Sequence, residues 1–152
     1  MENIFHGLGI ALVTPFKQNG EIDYDALEKL IEYQLENGAD FFTILATTGE
    51  CPCLSAEEKE KLTETIISVV SGRAPILKYC GGNNTAAVVE EIKQTNWKGI
   101  DGILSICPYY NKPSQEGLYQ HFKAIAETSS LPIVLYNVPG RTGVNMKAET
   151  TV

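Results

Sequence analysis

Two segments of the sequence carry side chains suited to binding a carboxylate. Thr47 and Thr48 offer two hydroxyl groups, and the turn through Gly49 adds backbone N–H groups that can hold an anion. Arg141 lies two residues after Pro139, and its planar guanidinium can pair with a carboxylate through two parallel hydrogen bonds. The structural alternatives are a plain turn stabilised by threonine-to-backbone bonds and an exposed loop arginine.

Three tyrosines supply hydroxyl groups for proton transfer. Tyr109 and Tyr110 follow Pro108, and Tyr136 ends an apolar run. A phenol alone is a weak acid, but hydrogen bonding to a hydroxyl and a second phenol allows it to relay protons. The alternative is that these aromatic rings face a domain or subunit surface. Glu50 is a candidate general base, although a role in orienting its loop through backbone N–H bonds is the stronger expectation.

An alternation of apolar runs and amphipathic stretches positions these residues. Strands are predicted at five runs, residues 9–13, 41–45, 75–79, 101–106 and 132–136. A helix is predicted after each strand. Polar capping residues begin four of them, at Asp23, at Ser55 with Glu58 as a capping box, at Ser114 and at Asn145, and the third helix starts at Thr85. A spacing of about 30 residues is typical of βαβ units, whose strands are parallel and whose crossovers are right-handed.

The alternation fits two α/β folds. One is a complete, five-stranded, doubly wound sheet of the flavodoxin type. The other is the first half of a (β/α)₈ barrel, which typically needs about 250 residues. Both folds bind ligands at the carboxyl ends of their strands, where the turn at Thr47 and the loops with Tyr110 and Arg141 are expected. Because residues 147–152 read as the first turn of a fifth helix, we expect the chain to be truncated.

The composition is that of a globular protein. The chain has 152 residues, and 12 Lys and Arg against 19 Asp and Glu give a net charge of −7. This acidic balance argues against nucleic acid or an anionic membrane as the main partner. The sequence lacks both a secretion signal and an apolar run near the roughly 18 residues of a membrane span, so a cytoplasmic location is expected. The 4 cysteines lack the spacing of a zinc site, and no metal is expected.

Four ordered motifs carry a resemblance to a known family. They are Val13-Thr14-Pro15-Phe16, Thr47-Thr48-Gly49-Glu50, Pro108-Tyr109-Tyr110-Asn111-Lys112-Pro113-Ser114-Gln115-Glu116-Gly117-Leu118 and Leu135-Tyr136-Asn137-Val138-Pro139-Gly140-Arg141-Thr142-Gly143. On these motifs, residues 9–152 resemble the pyruvate-dependent class I lyases of the dihydrodipicolinate synthase and N-acetylneuraminate lyase family. The pair Thr47-Thr48 and the Arg141 loop favour the dihydrodipicolinate branch over the sialic-acid lyase branch.

The resemblance implies a fold and a reaction. The family fold is a (β/α)₈ barrel with a small helical C-terminal extension, so residues 1–152 would be the N-terminal portion of a single barrel domain, truncated after about strand five. In the family, pyruvate forms a Schiff base with a lysine, and its enamine attacks aspartate semialdehyde on the route to diaminopimelate and lysine. The resemblance implies no separate cofactor, and it implies a homo-oligomer built as a dimer of dimers.

The resemblance also implies residue roles. Tyr136 resembles the central proton donor and acceptor, and Thr47 resembles its relay partner. Tyr110 resembles the second tyrosine of the relay, which reaches the neighbouring subunit's site across the dimer interface. Thr48 resembles the threonine that holds the pyruvate carboxylate. Arg141 resembles the arginine at the pocket entrance that receives the carboxylate of the aldehyde substrate.

The sequence departs from the family pattern at the nucleophile. The Schiff-base lysine has no match, because neither Lys78 nor Lys147 stands at its place. An amine nucleophile is indispensable to this chemistry, so the 152-residue chain alone is expected to be inert. Ala46 also stands where the family usually has glycine.

A second departure concerns regulation. Asn83 and Tyr109 match the site at the dimer interface where family members often bind lysine as a feedback inhibitor. Other positions of that site carry residues unusual for the family, namely Ala56, Lys59 and Ala87. The match to the allosteric lysine site is therefore partial.

Two other functions remain open at this point. One is a sialic-acid or sugar-acid aldolase of the same family, which differs in the aldehyde partner. The other is a flavodoxin-like, non-enzymatic binding module, although Thr-Pro-Phe-Lys at 14–17 is not the acidic cluster expected after strand one of a receiver-type module. A barrel cut after strand five would expose two sheet edges, so self-association is a further expectation.

Overall fold

The computed structural model describes residues 4–151, which form two compact units. The first unit comprises the described residues up to 78 together with residues 99–101. The second unit comprises residues 79–98 and the described residues from 102 onward. No helix within residues 4–151 is long and apolar enough to cross a bilayer.

Parallel strands and two long helices build the first unit. The strands are β1 (Gly9–Ala11), β2 (Phe41–Ile44) and β3 (Ile76–Tyr79), the last residue of which lies in the second unit. The helices are α1 (Tyr24–Glu36) and α2 (Ala56–Val70), which pack against each other. Gly9 lies opposite Phe41, and Phe42 lies opposite Ile76, so β2 is bonded on both sides.

Local capping explains where the helices of the first unit begin. The Asp23 carboxylate accepts a hydrogen bond from the Ala26 N–H at 3.0 Å and caps α1. The capping box of α2 is complete: the Glu58 N–H donates to the Ser55 hydroxyl at 3.2 Å, and the Ser55 N–H donates to the Glu58 carboxylate at 2.8 Å. Both predicted helix starts are confirmed, because each depends only on residues three positions apart.

The second unit contains two strands and three helices. They are α3 (Thr85–Gln94), β4 (Gly102–Ile106), α4 (Gln115–Thr128), β5 (Ile133–Tyr136) and the short helix α5 (Pro139–Thr142). β4 and β5 are parallel, and Ile106 lies opposite Tyr136. The buried core of this unit contains Cys80, Val88, Ile92, Ile103, Cys107, Leu118, Phe122 and Ile125.

The order of the strands decides between the two α/β folds. β2 pairs with both β1 and β3, whereas in the flavodoxin order 2-1-3-4-5 it is an edge strand next to β1 alone. Cys80 directly follows β3, and its N–H donates to the Leu104 carbonyl of β4 at 3.0 Å. Strands that are adjacent in space as they are in sequence are those of a (β/α)₈ barrel. The α/β class with parallel strands is confirmed, and the doubly wound alternative is wrong.

Two details differ from the sequence prediction. The stretch after β5 was expected to be a loop, but it contains α5, which begins at Pro139 and ends before Gly143 in the left-handed conformation. The sequence predicts that Asn145 caps a fifth helix, but among the described residues up to 151 a single 3₁₀ turn, Ala148–Thr150, follows it. The Asn145 side chain instead accepts a hydrogen bond from Asn137 at 2.8 Å, which removes it from the capping role.

Candidate active site

Thr47 and Thr48 lie on a single 3₁₀ turn, Thr47–Gly49, close behind β2 in the first unit. Leu45 and Glu50 on either side of it have φ angles of 56° and 54°, a region that few residues other than glycine adopt. Both threonine side chains are exposed. The bent backbone therefore presents two neighbouring hydroxyls at the carboxyl end of a strand.

Contacts at Gly49 anchor this turn. The Thr14 hydroxyl, which is 6% exposed, donates to the Gly49 carbonyl at 2.7 Å. A Cβ added at Gly49 would lie 3.0 Å from the Leu12 carbonyl oxygen, so a larger residue requires a shift. Thr14 belongs to one of the motifs of the sequence, but its anchoring bond spans 35 positions and no local pattern predicts it.

Tyr136 is the last residue of β5 in the second unit. Its carbonyl accepts a hydrogen bond from the Cys107 N–H at 3.0 Å, and its side chain is half-buried. Burial raises the pKa of the Cys107 thiol, which keeps it protonated. Tyr136 therefore stands on backbone that is fixed by its neighbour strand.

Asn137, the next residue, closes the loop after β5. Its Nδ2 donates to Asn145 Oδ1 at 2.8 Å and to the Met146 carbonyl at 3.3 Å. Its Oδ1 accepts from the Met146 N–H at 3.1 Å and from the Cys107 thiol at 3.7 Å. One amide side chain thus joins the two ends of the segment that contains Arg141. Asn137 belongs to the fourth motif of the sequence, but its residue type alone predicts no such role.

Helix α5 carries Arg141 within this closed segment. Thr142 is buried at 2% exposure, and its single hydroxyl proton lies between two acceptors, the Val144 carbonyl at 2.9 Å and the Val138 carbonyl at 3.2 Å. Gly143 ends the helix with a φ of 72°. The exposed guanidinium of Arg141 consequently projects from a short helix that is pinned at both ends.

Tyr109 and Tyr110 lie on the loop between β4 and α4. The Asn111 N–H donates to the Tyr109 carbonyl at 2.8 Å, and the Asn111 side chain donates to the Asn83 carbonyl at 3.0 Å. Tyr110 has a φ of 69° and is 90% exposed. The strained turn directs its phenol into solvent, and Asn83 supports the turn through its backbone carbonyl.

A cleft of about 590 Å³ brings the two loops of the second unit together. Its lining includes Tyr109, Tyr110, Lys112, Gly140, Arg141, Thr142 and Gly143. Two cations and two phenols line it, and none of these lining residues carries a carboxylate, so the cleft suits an anionic ligand. Lys112 is a residue that the sequence analysis did not single out, although it lies in the same motif as Tyr110.

The structure thus groups Tyr109, Tyr110 and Arg141, three of the residues predicted to have functional roles. Tyr136 lies on the adjoining strand of the same unit but does not line this cleft. Thr47 and Thr48 belong to the other unit. Within residues 4–151, no three His, Cys, Asp or Glu side chains form a group able to hold a metal ion.

Comparisons with known proteins point to one family. The sequence model of the Dihydrodipicolinate synthetase family matches residues 4–152. The chain is 58% identical over 146 residues to 4-hydroxy-tetrahydrodipicolinate synthase of Parabacteroides distasonis, and 59% identical over 146 residues to that of Phocaeicola vulgatus. Each alignment covers 96% of this chain and 49% of the relative, so the chain spans about half the length of these curated relatives.

Comparison with solved structures also finds dihydrodipicolinate synthases. Dihydrodipicolinate synthase from Thermotoga maritima is 49% identical, with a TM-score of 0.92 over 97% of this chain and 50% of that one. The Acinetobacter baumannii enzyme complexed with pyruvate is 46% identical, with a TM-score of 0.89 over 95% of this chain and 50% of its own. The Cyanidioschyzon merolae enzyme with lysine bound is 42% identical, with a TM-score of 0.91 over 99% of this chain and 52% of its own.

Proposed function

Because the chain belongs to the Dihydrodipicolinate synthetase family, we propose that it forms part of a pyruvate-dependent Schiff-base lyase. The enzyme condenses pyruvate with aspartate semialdehyde on the route to diaminopimelate and lysine. The family match over residues 4–152, with relatives named for this synthase at 58% and 59% identity, carries the proposal. Residues 1–152 are the N-terminal portion of a single (β/α)₈ barrel domain.

Three residues move protons in this proposal. Tyr136 is the central donor and acceptor, Thr47 is its relay partner, and Tyr110 completes the relay from the neighbouring subunit. The 90% exposure of Tyr110 supports the last assignment, because a phenol that faces solvent in one chain is free to enter the site of another. A relay of hydroxyls lets a weakly acidic phenol pass protons without becoming a free phenolate.

Two residues bind the carboxylates of the substrates. Thr48 holds the carboxylate of pyruvate with its hydroxyl and the N–H groups of its turn. Arg141 receives the carboxylate of aspartate semialdehyde in a bidentate pair. The positive lining that Arg141 and Lys112 give to the cleft supports this role, since both substrates are anions.

The nucleophile is supplied by sequence that the 152 residues do not contain. Lys78 is a half-buried residue of β3, and Lys147 is an exposed residue beside a 3₁₀ turn. Neither stands at the place of the family's Schiff-base lysine, so the chain by itself forms no adduct with pyruvate and is inert. The complete enzyme needs no separate cofactor, because the covalent Schiff base performs the activation.

Assembly and regulation follow from the same assignment. The complete enzyme is a cytoplasmic homo-oligomer, a dimer of dimers, in which Tyr110 serves the partner's site. Asn83 and Tyr109 form part of a lysine-binding site whose other positions, Ala56, Lys59 and Ala87, are altered. Two missing polar contacts at Ala56 and Ala87 weaken inhibition by lysine relative to family members that keep them.

Steady-state kinetics on a chain extended to the length of its relatives test the proposed reaction. We expect turnover of pyruvate with aspartate semialdehyde and none with sugar acids; turnover of sugar acids alone would assign the other branch of the family. Arg141→Ala should raise KM for aspartate semialdehyde by about 10-fold to 100-fold, the loss expected for a bidentate ion pair, and leave KM for pyruvate nearly unchanged. Lys112→Ala is the matched control, because it removes the other cation of the same cleft.

A further inference from the structure

Two cysteines sit in one turn beside the predicted threonine pair. Cys51 and Cys53 flank Pro52 on a second 3₁₀ turn, Cys51–Cys53, which begins directly after Glu50. Cys53 is exposed and Cys51 is half-buried, and both carry thiols. The other two thiols, at 80 and 107, are 1% and 0% exposed. Solvent therefore reaches the thiols of this turn and not those of the core.

The spacing within the turn places the two Cα atoms within the range that disulfides span. Residues two apart on a 3₁₀ turn rise about 2 Å each, which places their Cα atoms roughly 5 Å apart. Disulfides span Cα distances of about 4.4–6.8 Å. The two Cβ atoms point to different sides of the turn, so a bridge between Cys51 and Cys53 requires backbone movement.

That movement would break backbone hydrogen bonds within the turn. The Cys53 N–H donates to the Glu50 carbonyl at 2.8 Å, and the Leu54 N–H donates to the Cys51 carbonyl at 3.2 Å. The Glu50 N–H donates to the Thr47 carbonyl at 3.1 Å, which joins this turn to the threonine turn. A change at the cysteines is therefore transmitted to the Thr47–Gly49 backbone.

We propose that Cys51 and Cys53 form a peroxide-sensitive thiol pair, whose oxidation to a disulfide within one chain opens the turn behind Thr47–Gly49. The exposed Cys53 thiolate attacks a hydroperoxide, the O–O bond breaks, and the leaving oxygen takes up a proton to give an alcohol or water. Cys51 then attacks the sulfur of the sulfenic acid on Cys53. The S–S bond forms, the S–O bond breaks, and water leaves with the proton of the Cys51 thiol.

Peroxide treatment of the 152-residue chain tests the pair directly. The remaining thiols are alkylated under denaturing conditions, and tryptic peptides are weighed; residues 30–59 contain no internal Lys or Arg, so both cysteines fall in one peptide. We expect this peptide to lose two hydrogen atoms, while Cys80 and Cys107 are alkylated in full. A disulfide between two chains, or loss of the core thiols at the same rate, would overturn the proposal.

Two serine variants separate the roles of the cysteines. Cys51→Ser should stop at a sulfenic acid on Cys53, which dimedone traps. Cys53→Ser should slow the reaction by on the order of tenfold, because the half-buried Cys51 is then the only thiol of the turn. Equal oxidation rates in the two variants would contradict the assigned order of attack. In ¹H–¹⁵N spectra, oxidation should shift the amides of Glu50, Cys53 and Leu54, and unchanged amides would refute the opening of the turn.

Discussion

Replacing Asn137 with alanine should loosen the segment that carries Arg141. The Asn137 side chain makes two short hydrogen bonds across this segment. Its Nδ2 donates to Asn145 Oδ1 at 2.8 Å, and its Oδ1 accepts from the Met146 N–H at 3.1 Å. Each is worth about 0.5–1.5 kcal/mol net. Because Asn137 is exposed and its partners regain water, we expect a total loss of about 1–2 kcal/mol.

Two measurements detect this loss. Urea denaturation should show the decrease in the free energy of unfolding, and the apparent Tm should fall by about 2–8 °C for a chain of this size. Hydrogen exchange at the Met146 amide should accelerate by about tenfold, since 1.4 kcal/mol corresponds to a factor of about ten. The amide of Ile103 in β4 reports on the core of the same unit and should change less.

Asn145→Ala is the matched control for this prediction. It removes only the 2.8 Å bond to Asn137 and keeps the bonds of Asn137 to Met146 and Cys107, so its cost should be clearly smaller than that of Asn137→Ala. A bracing role of Asn137 is refuted if Asn137→Ala leaves both the free energy of unfolding and the Met146 exchange rate at their original values. It is also refuted if Asn137→Ala and Asn145→Ala lower the free energy of unfolding by the same amount.

Three further predictions concern stability. Ser55→Ala removes half of the capping box of α2 and should cost about 1 kcal/mol by urea denaturation; Ser68→Ala on the exposed face of α2 serves as control and should cost little. Burial lowers the pKa of His121, so the unfolded chain binds its proton first as the pH falls. Stability should therefore rise with pH between the folded pKa of His121 and its ordinary value, and His121→Phe should flatten this slope. The hydrogen bond from Arg73 lowers the pKa of Glu32. NMR titration should find the pKa of Glu32 below the ordinary carboxyl range, and Arg73→Ala should return this pKa to that range. The pair contributes to stability above the ordinary pKa of Glu32, and this contribution is lost as the pH falls through the lowered pKa.

Features of the fold that depend on neighbouring residues are predictable from the sequence. The caps at Asp23, Ser55 and Ser114 are confirmed because each side chain bonds a backbone N–H three positions ahead. The five strands are also confirmed, within one to two residues at their ends, because buried parallel strands are continuous apolar runs bounded by polar turns.

Features that depend on residues far apart in the chain could not be predicted from the sequence. Asn145 has the residue type of a helix cap, yet its side chain bonds Asn137 eight positions earlier. The left-handed backbone at Leu45 and Tyr110 is imposed by surrounding contacts, since neither residue type favours it. The cleft around Arg141 likewise depends on Lys112 and Tyr110, which approach it from another loop. The motifs contain Tyr110, Lys112 and Arg141, but only the fold shows that these residues line one cleft.

Borohydride trapping with pyruvate tests the central claim most directly. Borohydride reduces a Schiff base to a stable secondary amine, which intact-mass analysis detects. We expect no adduct on the 152-residue chain and one adduct per chain on the protein extended to the length of its relatives. A stoichiometric adduct on the 152-residue chain would contradict the account. Its nucleophile would then lie among the lysines present, with Lys78 the first to test by Lys78→Arg, and the residue roles would have to be assigned anew around it.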